Sequence, residues 1–95
     1  MNKLTEQQKL VLVRQLLQNE KAEEASELFS GIVPQNTVEY WLVKGHLEQK
    51  FQNWGEALNA FQNVLGLDAQ NSEAENSRKL IHSIINFWNP ELFNP

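Results

Sequence analysis

Two short blocks of this chain nearly coincide. EEASELF (Glu23 to Phe29) and GEALNAF (Gly55 to Phe61) share Glu24-Ala25 with Glu56-Ala57, and Phe29 with Phe61, at a constant shift of 32 positions. Self-similarity at a period of roughly 20–50 residues marks architectures in which one supersecondary unit stacks on the next. The physical reason is burial: a single helical hairpin cannot hide its apolar face, whereas stacked hairpins can if their backbones approach closely at a few points. Gly45 on one helix and Ala57 on the next are placed to supply those points, with Phe61 filling the space above them.

The rest of the pattern agrees with helices. Thr5 with Gln8 forms a T-x-x-Q capping box that predicts the start of a first helix carrying Leu10, Val11, Leu12, Val13, Leu16 and Leu17 and ending near Gln18-Asn19. Lys21 to Ile32 reads as a shorter second helix with Ala22, Ala25, Leu28, Phe29 and Ile32 on one stripe, ended by Gly31 and Pro34. Thr37 caps a third, with a stripe of Tyr40, Val43, Leu47 and Phe51. Asn53 with Glu56 opens a fourth, near whose end Gly66 lies. Ser72 with Glu75 opens a fifth, carrying Leu80, Ile81, Ile84, Ile85 and Trp88 and closed by Pro90. No run alternates with period two, so no strand is expected. With 95 residues the chain makes one domain, all-α, of about five helices whose short connections favour antiparallel neighbours.

At Trp41, Gly45, Trp54, Ala57 and Phe61 the chain resembles the tetratricopeptide repeat (TPR) family, whose helix-turn-helix unit opens on W-x-x-x-G and continues with an Ala and a bulky aromatic. Residues 38–71 look like one such unit, departing from the family at Glu48, where an aromatic is usual, and at Ala69, where Pro is usual. Residues 4–36 are similar to a weaker unit through Leu12, Val13, Leu16, Ala25, Phe29 and Ile32. Residues 72–88 resemble a lone first helix, with Arg78 and Lys79 at positions the family keeps apolar or small, and read as a capping helix. The resemblance implies a short right-handed superhelical stack with a concave face lined by each unit's first helix.

By position on that face, the lining would be Gln7, Leu10, Arg14, Leu17 and Gln18; then Glu39, Leu42, His46, Gln49 and Lys50; then Glu73, Asn76, Leu80, Ser83 and Ile84. The alternative for Leu10, Leu17, Leu42, Leu80 and Ile84 is membership of the core. The family's chaperone-binding members use a Lys and Asn clamp for a C-terminal carboxylate. The matching positions here are Leu10, Arg14, Val43, Glu73 and Ser77, of which only Arg14 could contribute and Glu73 would oppose. The expectation is a mainly apolar groove with a mixed polar rim, taking a protein or peptide.

Signals for chemistry are sparse. His46 and His82 lack an i+4 metal-type partner, and Glu23, Glu24, Glu73 and Glu75 suit the first turns of helices. The glycines form no phosphate-cradling loop and no G-x-S-x-G occurs. No catalytic, cofactor or metal residue is therefore assigned, and an enzyme is not expected. Net charge is −4, from 8 basic and 12 acidic residues, which disfavours a nucleic-acid binder. Without cysteine there is no disulfide frame. The polar start MNKLTEQQKL and the absence of a run of about 20 apolar residues make a cytoplasmic protein without membrane contact the expectation.

The segment FWNPELFNP contributes Phe87, Trp88, Leu92 and Phe93, of which Trp88, Leu92 and Phe93 are the expected tail contacts. Residues 89–95 could reach about 25 Å when extended. Three uses compete: docking on the protein's own apolar surface, insertion into a second copy to make a homodimer, and presentation to a different partner. The leading functional expectation is a non-enzymatic protein-interaction adaptor or scaffold. The alternative is a small structural subunit or assembly factor stabilised by homodimerisation through this tail.

Overall fold

The structure, a computed structural model, describes residues 3–88, the side chain of Trp88 excepted. Five helices and no strand occur among them: α1 (Glu6–Gln18), α2 (Ala22–Ser30), α3 (Val38–Lys50), α4 (Trp54–Leu67) and α5 (Ser72–Trp88). α1 packs on α2 and α3 on α4. The two hairpins meet where α3 lies against both α1 and α2, and α5 packs along α4.

Local chemistry explains most of the boundaries. Thr5 and Gln8 form the full reciprocal box at the start of α1, with bonds of 3.0 and 2.9 Å. Thr37 accepts from the Tyr40 amide at the start of α3. The other two expected boxes are not formed. Asn53 stands at the N-cap of α4, but its side chain donates to Glu48 Oε1 rather than capping. Ser72 is already helical; the cap of α5 is Asn71, whose Oδ1 accepts from the Ala74 amide at 2.9 Å, while Glu75 turns to Arg78. An Asn one position earlier competes successfully because its short side-chain amide reaches the N3 donor.

The two hairpin turns are the same turn. After α1, the Glu20 amide bonds the Leu17 carbonyl and the Lys21 amide the Leu16 carbonyl. After α3, the Gln52 amide bonds Gln49 and the Asn53 amide bonds Glu48. These are paired Schellman closures, 32 residues apart like the blocks EEASELF and GEALNAF. The residue that must turn left-handed is Glu20 in one and Gln52 in the other, each with φ of 60°.

The core has two clusters that share α3. Leu10, Val13, Leu17, Ala25, Phe29, Ile32, Tyr40, Val43 and Leu47 form the first. Leu42, Ala57, Phe61, Val64, Ala74, Ile81 and Ile85 form the second. Trp41 packs against both, its indole N–H donating to Asn36 Oδ1. Because α3 is covered on two sides, its buried arc is wider than the single stripe expected. Leu42 joins it, and Phe51, expected on the stripe, sits at the C-cap and is exposed. Gly45 and Ala57 are both buried, and a Cβ on Gly45 would stand 2.7 Å from Cε1 and Cζ of Phe61. The close approach of α3 to α4 therefore depends on glycine at that position.

Candidate functional site

The repeat that builds the fold also builds a cleft. Arg14, Leu17 and Gln18 occupy one stripe of α1, and His46, Gln49 and Lys50 the corresponding stripe of α3. Each member of the second set follows its counterpart by the same 32 positions. So does Gln52 after Glu20, and both of these left-handed turn residues line the cleft. Trp54 from the start of α4 and Glu73 from the first turn of α5 complete a volume of about 590 Å³. That is within the range of ligand sites and large enough for a few side chains of a bound segment.

The lining corrects the expectation of a mainly apolar groove. Of the apolar residues assigned to it, Leu17 contributes a largely buried edge, while Leu10 and Leu42 are enclosed in the two core clusters. Asn76, Leu80 and Ile84 on α5 are not part of the cleft wall; Asn76 and Leu80 are exposed. Arg14, His46, Gln49 and Lys50 are brought together in it. The residues missed from the sequence are Glu20, Gln52 and Trp54. The 32-residue shift, applied to the turns as well as the helices, would have paired Gln52 with Glu20. Leu92 and Phe93 lie outside the described residues, as does the side chain of Trp88, and with them any tail-mediated dimer.

The electrostatics converge on Glu73. Its Oε2 lies 2.7 Å from Arg14 Nη2 and 2.6 Å from His46 Nε2, so one carboxylate oxygen ties α1, α3 and α5 together across the cleft. A carboxylate only accepts, so His46 presents an Nε2–H to it. The His46 ring is held edge-on to Phe61, with centroids 5.1 Å apart, which fixes the direction in which Nε2 points. Partial burial pushes the Glu73 carboxyl up, but the hydrogen bonds from His46 and Arg14, reinforced by their charges, outweigh it and hold the group below its ordinary value of 4.5. Lys50 Nζ is likewise bonded to Glu20 Oε2 at 3.0 Å. The two permanent cations of the cleft are thus each held by a carboxylate of the same cleft. The Oε1 of Gln49, a lining residue, is shut off from solvent without a hydrogen-bond partner among the described residues.

The described residues contain no group of three or more His, Cys, Asp or Glu side chains placed to hold a metal ion, and no helix long and apolar enough to cross a membrane. No family model, no curated protein and no solved structure matches the chain.

Proposed function

We propose that this protein is a non-enzymatic interaction module of the stacked-hairpin, TPR-like kind, an adaptor or scaffold that takes a peptide segment of a partner protein in the cleft between α1, α3 and the start of α5. The observation that carries this reading is the coincidence of repeat and cleft. Four pairs of repeat-equivalent residues line one concave surface (Arg14 and His46, Leu17 and Gln49, Gln18 and Lys50, Glu20 and Gln52). Among them, Glu20 and Gln52 hold long polar side chains where backbone geometry favours glycine. Residues kept in a sparsely populated conformation cluster at functional sites because the surrounding structure is made to sustain them. The side chains are hydrogen-bonding and charged, and suited to holding a backbone and its polar groups rather than to moving protons.

A displayed library of random peptides, selected on the whole protein and followed by amide chemical-shift mapping of the enriched sequences, tests this reading. The expected result is that shifts concentrate at residues 14–20, 46–54 and 73, and that Gln49→Ala with Lys50→Ala weakens binding at least tenfold. Enriched peptides that map to the outer faces of α2 and α4 instead would overturn it.

A further inference from the structure

The point where Arg14 and His46 converge is built to hold an anion. Two donors from different helices meet on one oxygen at 2.7 and 2.6 Å. The oxygen they hold belongs to the chain itself. Glu73 reaches it from the first turn of α5, whose N-terminal dipole favours a negative side chain, and Asn71 fixes that turn by capping it. The other cation of the cleft, Lys50, is also engaged by a carboxylate of the same chain, and that carboxylate, Glu20, is 78% exposed. An acidic ligand group would therefore meet no unpaired cation here, and would have to approach two carboxylates on a molecule of net charge −4. A neutral or basic segment meets carboxylate oxygens with lone pairs to spare, the more accessible because Glu20 is 78% exposed and its partner Lys50 only 39%.

We propose that Glu73 determines the specificity of the cleft. It occupies the anion point made by Arg14 Nη2 and His46 Nε2 as a built-in competitor, so that the cleft refuses acidic segments and admits neutral or basic ones. This rests on the cleft as the peptide site, but Glu73's occupancy of the anion point can be tested without a known partner.

Acetate and a blocked glutamate-rich tetrapeptide serve as probes of the carboxylate group, free and peptide-borne. They are titrated at constant ionic strength into the whole protein, and the Arg14 Nε–H and His46 ring resonances report occupancy. In the wild type both probes should shift these resonances no more than sodium chloride does. In Glu73→Ala both should give saturable curves, at least roughly fivefold tighter than any binding to the wild type, as expected for removal of a half-exposed internal competitor. Arg14→Ala combined with Glu73→Ala should abolish the gain. Circular dichroism checks the fold, and Glu73→Gln, which keeps the shape and removes the charge, is read in the same way with a smaller gain. Equal binding of acetate to wild type and Glu73→Ala overturns the proposal, as does no binding to any variant. If acetate behaves as expected while selected peptides map elsewhere on the surface, Glu73 still fills an anion point and it is the cleft as peptide site that fails.

Discussion

Gly45→Ala is the most informative single substitution in the stack. Glycine in a helix interior costs about 1 kcal/mol relative to alanine, so on propensity alone the change should stabilise α3. The packing says the opposite. The added methyl would stand 2.7 Å from two carbons of the Phe61 ring and 3.0 Å from a third, about 1 Å short of an ordinary carbon contact. The ring cannot swing away: Phe61 is 0% exposed and His46 presses on it edge-on. Forcing a methyl into such a site costs about 1–3 kcal/mol. Given the size of the overlap, the net expectation is a destabilisation of about 1–2 kcal/mol, or a fall in Tm of roughly 5–15 °C for a domain of this length. Gly66→Ala is the control. It lies in α4 with nothing within 4 Å of its would-be Cβ, so there propensity acts alone and should raise stability by about 0.5 kcal/mol. Thermal and urea unfolding of the two variants should therefore move in opposite directions, and Phe61→Leu should relieve part of the Gly45→Ala penalty. Equal stabilisation by both alanines would refute close α3–α4 packing as the reason for glycine at position 45.

The turns, the caps and the cleft each carry a prediction of their own. Gln52→Gly should raise stability by about 0.5–1 kcal/mol, because relief of a left-handed residue outweighs the added freedom of the unfolded chain, and Glu20→Gly should do the same; an unchanged or lower urea midpoint would contradict strain at these turns. Asn71→Ala should cost about 1 kcal/mol and Ser72→Ala almost nothing, the reverse of what an S-x-x-E box would require, as read by chemical denaturation. Glu73 has a folded-state pKa below its ordinary 4.5, so its contribution is fully present above about that pH and is lost as pH falls through the folded value. Discounted for its partly exposed position, the contribution is about 1 kcal/mol or less, and the stability gap between wild type and Glu73→Gln should be steady at neutral pH and shrink as the pH is lowered below 4.5.

Much of the fold could be read from the sequence because its determinants are local. The helices announce themselves by period and by Thr5, Thr37 and Pro34, and the all-α class needs nothing more. The role of Gly45 could be read because a mid-helix glycine costs helix stability, and close approach to a large aromatic offsets that cost. The turns were hidden: Schellman closures are usually signalled by glycine, and here Glu20 and Gln52 take the left-handed position. The capping of α5 was ambiguous because Asn71 and Ser72 are both good caps and only the backbone decides between them. The polar character of the cleft departs from the spacing pattern for a geometric reason. Leucines at positions 10 and 42 fit a groove-facing stripe by spacing, but the first cluster takes up Leu10, and because α3 is buried on two sides the second takes up Leu42, so that His46, Gln49 and Lys50 are what α3 presents to the cleft. That Arg14, His46 and Glu73 would all line the concave face was legible; that Arg14 and His46 would meet on one oxygen of Glu73 depended on how α1, α3 and α5 pack.

Site-specific photo-crosslinking in the native cell is the most direct test of the cleft as the partner site. A photoreactive residue replaces Gln18 on the cleft wall in one protein and Gln62, exposed on α4 and outside the cleft lining, in another. The cleft position should give a discrete adduct that disappears in the Gln49→Ala, Lys50→Ala background, and the α4 position should give none. Adducts of the same partner from both positions, or from Gln62 alone, would contradict the cleft as the binding surface.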